Sequence, residues 1–203
     1  MPHSMKNFAF TLALIMATSP LALAQSSQHV ERARQMPPAK AVEDLIMTFE
    51  REVTSAAQAM PANRYNFSPA SLHIPGSEFT KARTFADEVT HVAQANYAIA
   101  SNIVGKSPEV DLKEVGALKT KPEIFNALAA SFIAVHKAVA TITVENQNDF
   151  VDDVGVGSNQ SKVSEAAWVA VHGFDHYGQM VEYLRMNGIV PPGLAPVVPA
   201  KAP

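Results

Sequence analysis

The stretch WVAVHGFDHYGQMVEYLRMNGIVPP, residues 168–192, decides the fold. It is the body and stop signal of a long helix: Ser161 or Ser164 can cap its start, Asn187-Gly188 ends it, and Pro191-Pro192 prevent its resumption. On that helix His172 and His176 stand four residues apart, which stacks both imidazoles on one side. Neutral imidazole is a common ligand for zinc, nickel, iron and copper, so the pair can grip one metal ion. Two ligands alone make a loose site, and a third must come from elsewhere in the chain. In metalloproteases with His-Glu-x-x-His the residue after the first histidine is the general base; here it is Gly173, which argues against a protease of that type. Asp175 projects about 100° away from His176 on a helix and reads as a surface or supporting group.

Working outward, three more helices precede this one. Val42, Leu45, Ile46, Phe49, Val53, Ala56 and Met60 recur at steps of three and four, the stripe of an amphipathic helix that stops at Pro61. Residues 62–77 hold Pro69, Pro75 and Gly76 without a sustained period and predict a long connection. A second helix is predicted from Glu78 or Thr80 to Val104, with Phe85, Val89, Val92, Asn96, Ile99 and Ile103 on its stripe and Gly105 as C-cap. Residues 106–121 are charged and irregular. Pro122 then fits the first turn of a third helix with core positions Phe125, Leu128, Phe132, Val135, Val139 and Ile142. The polar stretch 145–159 predicts a solvated loop with a mobile tip. No strand pattern is convincing, so the expectation is an all-α four-helix bundle with long connections over residues 38–192. An Ala/Pro-rich tail, 193–203, is expected to be disordered.

The N-terminus carries a different signal. Lys6 precedes the apolar run from Phe8 to Ala17, Pro20 follows, and Ala22-Leu23-Ala24 offers small residues at the positions a signal peptidase reads. Residues 1–24 therefore predict a secretory signal peptide cleaved before Gln25, with 25–37 a polar lead and the mature protein secreted or periplasmic. The apolar run of about ten residues is too short to span a bilayer, so no membrane attachment is expected after cleavage. The chain has no cysteine among its 203 residues, which removes thiolate metal sites, thiol nucleophiles and redox motifs together. A net charge of −3, with no basic cluster, argues against a nucleic-acid partner.

Among the other histidines, His29 lies in the polar lead and His73 in the first connection, where a solvated ring is the default. His136 is one position off the core stripe of the third helix and reads as a flank residue. His91 sits at the edge of the second helix's apolar stripe, with Ala95 and Ala98 on its side leaving room for a pocket. Periodicity by itself does not choose the third ligand.

Several motifs together resemble the DinB-like (DinB/YfiT) family of metal-binding four-helix bundles. They are Met60 to Tyr65, Phe79-Thr80, His91-Val92 with Asn96-Tyr97 and Gly105, then His172 to Gln179, Tyr183-Leu184-Arg185 and Gly188 to Pro192. The resemblance implies that His91, His172 and His176 bind a divalent ion, zinc, nickel or iron, with open coordination positions. It further implies an up-up-down-down style of bundle with a long crossover, and homodimers. Some members of the family are thiol S-transferases or isomerases, in which a metal-bound thiol is held as thiolate. A metal-dependent transferase or hydrolase acting on a small-molecule substrate is thus one expectation. A non-catalytic metal-binding or stress-related bundle is another, and a helical partner-binding module a third. Glu165, Tyr183 and His136 are the candidate general bases.

Overall fold

A computed structural model of the chain describes residues 36–151 and 160–194. The expected signal peptide, residues 25–35 of the polar lead, the loop tip at 152–159 and residues 195–203 of the tail lie outside the described residues. The described part is all-α, with five helices: α1 (Pro38–Ala59), α2 (Phe85–Val104), α3 (Leu112–Ala117), α4 (Lys121–Val139) and α5 (Lys162–Met186). Among the described residues, β structure is limited to an isolated bridge between Phe150 and Ser161.

α1 begins after Pro37 with no side-chain cap, whereas the other four helices begin where a side chain accepts from a first-turn amide. Thr84 and Asp87 form a reciprocal capping box at the start of α2, and Thr120 and Glu123 do the same for α4. Phe85 N also donates to Phe67 O, and Ala86 N to Tyr65 O, so the preceding connection supplies two further acceptors. That is why α2 starts at Phe85 and not at Glu78 or Thr80. Gly105 (φ 68°) and Gly188 (φ 73°) take the left-handed conformation that ends α2 and the turn after α5. Lys121 Nζ donates to the carbonyls of Gln58 and Met60, each at 2.7 Å, closing the C-terminal end of α1 with a cation.

The four long helices share one core, centred on Ile46, Phe49 and Val53 of α1, Phe85, Val89 and Ile103 of α2, Ile124, Leu128 and Phe132 of α4, and Met180 and Leu184 of α5. Two positions differ from the apolar stripes. Leu45 is 55% exposed, and on α4 the buried residue is Ile124, with Phe125 only half-buried. The other positions of both stripes are buried, so each inward face is displaced at one residue only.

Paired side chains fix the directions of the helices. Asn102 meets Glu165 and Glu88 meets His176, so α2 and α5 are antiparallel. Lys121 reaches Gln58 while His136 reaches Glu43, so α1 and α4 are antiparallel too. Phe49 packs on Phe174, Tyr177 bonds Glu52 and Arg64 bonds Asn187, so α1 and α5 run parallel. The order is therefore up, down, down, up, which corrects the up-up-down-down arrangement. The long crossover joins α2 to α4 and must return along the molecule. It does so against α2, where Gln94 Nε2 donates to Leu112 O at 2.7 Å and α3, capped by Asp111, buries Val115. At six residues α3 is too short to show a period, so the segment looked irregular.

The connection from α1 to α2 is not a loose loop either. Tyr65 is buried and donates its hydroxyl to Ala57 O at 2.8 Å, and its ring meets Phe85 edge-on.

Candidate metal centre

The antiparallel pairing of α2 with α5 brings His91 beside His172 and His176. Ring centroids are 5.2 Å apart for His91 and His172, 4.6 Å for His91 and His176, and 4.5 Å for the pair on α5. One nitrogen from each ring can be chosen so that all three lie within 4.8 Å of one another, close enough to hold one metal ion. Nε2 of His172 and Nε2 of His176 are 3.1 Å apart. Two nitrogens bound tetrahedrally at a zinc distance of about 2.05 Å stand roughly 3.3 Å apart, so the pair already has near-ligand spacing.

The surroundings favour the neutral, ligating form of His91 and His172. Burial lowers His91 to about 4, helped by the positive charge of Arg83 and by His176 and His172. Burial also lowers His172, with His176 adding to the effect and Asp175 opposing it. A neutral imidazole at pH 7 needs to lose no proton before binding a cation. His176 is 4% exposed, and its Nδ1 lies 2.6 Å from Oε2 of Glu88. With the Nδ1 side of the ring turned to Glu88, it is Nε2 that faces His172. Trp168 stacks on the His172 ring at 6.1 Å and is 41% exposed, covering part of the outer side.

Gly173 has a packing reason to be glycine. A Cβ there would stand 2.1 Å from Cζ of Phe49, so α1 approaches α5 where α5 has no side chain. The position that carries the base in His-Glu-x-x-His proteases thus faces α1, away from the α2 side where the imidazoles meet.

Other sequence candidates lie elsewhere. His136 bonds Glu43 through Nδ1 (2.6 Å) and Glu50 through Nε2 (2.8 Å), joining α4 to α1. Glu165 is buried and accepts from Asn102 at 2.7 Å, and Tyr183 donates to Arg83 O at 3.1 Å. Each of these three general-base candidates is engaged in holding helices or connections together. His73 is exposed at the end of a short 3-10 turn, and Asp175 is exposed beside Gln179. Glu88 was missed in the sequence. Its signal was present, since it precedes His91 by three residues and so shares its side of the helix.

A cleft of about 420 Å³ opens between the α1–α2 connection and α5, with Phe79, Ala82, Asp175, Gln179 and Tyr183 in its wall. Among the described residues, no helix is long and apolar enough to cross a membrane. Comparison with known proteins finds no family model and no curated protein that matches the chain.

Proposed function

We propose that the protein is a secreted or periplasmic divalent-metal-binding four-helix bundle of the DinB-like kind, with His91, His172 and His176 as its ligands. The observation that carries this reading is the 3.1 Å approach of the two Nε2 atoms on α5, with the His91 ring within 4.6 Å of His176. Such clustering of three imidazoles is costly in burial and repulsive on protonation, and a shared cation is what turns it into a favourable arrangement. Zinc, nickel and iron(II) all suit three imidazoles.

A metal held by three histidines keeps positions for water or substrate and can lower the pKa of a bound water or thiol. The chain's own contribution is to hold three imidazole rings together on two helices and to stack Trp168 on one of them. None of the three histidines lines the cleft along α5, so the reading as a metal-dependent thiol transferase or hydrolase rests on the open coordination positions alone. A non-catalytic, metal-binding role is favoured by one observation: Glu165, Tyr183 and His136 are all committed to structural bonds, so none stands ready as a general base. The N-terminal signal argues for processing before Gln25, and the resemblance argues for a homodimer.

The test is elemental analysis of the untagged chain from Gln25 onward, beside His172→Ala. One ion per chain in the wild type and loss of it in the variant is expected. A metal-free wild type after incubation with zinc, nickel and iron(II) would end this reading. Turnover assays on the loaded protein with thiol-plus-electrophile pairs and with esters then separate the enzyme from the non-catalytic binder.

A further inference from the structure

Glu88 has no exposed surface, and its charge is unusual for so deep a position. Burying a carboxylate is expensive unless hydrogen bonds and positive charge offset its lost hydration. Here the offset is incomplete. Oε2 lies 2.6 Å from Nδ1 of His176, while Oε1 is buried with no hydrogen-bond partner among the described residues. Glu88 is not one of the three residues whose ligand atoms converge, so it stands behind His176 and not beside it. Its neighbours across the site are imidazoles, and the one fixed positive charge felt by the same rings, that of Arg83, makes no hydrogen bond to it among the described residues.

We propose that Glu88 is a positioning residue for the metal centre, holding His176 as the Nδ1–H tautomer with Nε2 aimed at the ion and supplying buried negative charge that the cation balances. This rests on the reading of the three histidines as ligands. The chemistry is that of a carboxylate behind a ligating imidazole, which fixes the ring's rotation and raises its basicity. It also accounts for the orphaned oxygen. The carboxylate is under-compensated by hydrogen bonds alone, and a divalent cation on the far side of the His176 ring provides the missing charge through a short, rigid path. Three neutral ligands would leave two positive charges in the site, and Glu88 removes one of them.

The experiment compares zinc dissociation constants of wild type, Glu88→Gln and Glu88→Ala, measured by competition with a chromophoric chelator. Gln keeps the size and can still accept the Nδ1 proton, but carries no charge; Ala loses both. Both variants should bind roughly 10–100-fold more weakly, with Ala the weaker of the two. Ser131→Ala, which removes a buried hydrogen bond to Asn96 away from the centre, is the control for a merely structural loss and should leave the constant unchanged. Affinities of both Glu88 variants within about threefold of a zinc-binding wild type would overturn the proposal. A wild type that binds no zinc, nickel or iron(II) would overturn the histidine reading itself, and this proposal with it. Should the variants not fold, nitrogen NMR of the zinc-loaded wild type decides: Nδ1 protonated and Nε2 metal-bound on His176 is expected, and metal on Nδ1 overturns the idea.

Discussion

At the residue scale, Gly173 and the three histidines share one short piece of α5 and obey different constraints. Gly173→Ala places a methyl into the Phe49 ring, which already packs against Phe132 at 5.5 Å and Phe174 at 5.4 Å and has little freedom to move. We expect a loss of about 1–3 kcal/mol in urea unfolding, together with weaker metal binding because α5 is displaced between its two ligands. His91 yields a pH prediction. An unfolded imidazole titrates near 6.5 and burial lowers His91 to about 4 in the fold. Between those values the unfolded chain binds more protons at this position, so its contribution to stability falls as the pH drops. Metal-free protein should lose stability on acidification from pH 7 to 5, and His91→Asn should flatten that slope. The paired histidines of α5 were legible in the sequence as spacing. Their partner on α2 was not, because helical period places His91 at a stripe edge and says nothing about which helix lies opposite. The family resemblance, not the pattern, singled it out.

Among the elements, the α1–α4 contact contains a different kind of histidine. Burial is the largest single influence on His136 and acts downward, yet the bonds and charges of Glu50 and Glu43 outweigh it and raise the ring above its ordinary value. A raised folded pKa gives stabilisation that is complete below about 6.5 and lost as the pH rises through the folded value. His136→Gln should therefore cost more stability at pH 6 than at pH 9, the reverse of the trend at His91. Chemical denaturation at the two pH values checks it. At the other end of the same helix pair, Lys121 closes α1, and Thr120 caps α4. Thr84→Ala, which removes the corresponding cap of α2, should cost about 1 kcal/mol by the same measurement. The four long helices were legible because each repeats its apolar period over many turns. Pro122 and Ser161 marked the starts of α4 and α5, but the start of α2 was not legible, since the acceptors that complete it come from Tyr65 and Phe67 in a connection that carries no period of its own.

For the whole molecule, an ion at the centre would tie α2 to α5. Anything that binds the folded state alone stabilises it by mass action, about 2.7 kcal/mol at a hundredfold excess over Kd, or roughly 5–10 °C in Tm for a chain of this size. Zinc should raise the melting temperature of the wild type by such an amount and leave His91→Ala unmoved, as read by calorimetry. Helix directions were beyond the sequence, because the long stretches 60–84 and 105–120 allow neighbours to run either way. Only side-chain pairs such as Asn102 with Glu165 decide between them.

The pairing of α2 with α5 also sets a clock. Glu88 and His176 are 88 residues apart, with α3 and α4 in the loop that their meeting closes. Contacts that close so long a loop form late, after more local ones have made them affordable in entropy. An ion gripping both helices would then be absent from the folding transition state and present only beyond it. Metal should leave the refolding rate nearly unchanged and slow unfolding, so that a chelator shortens the lifetime of the native protein far more than it delays its formation.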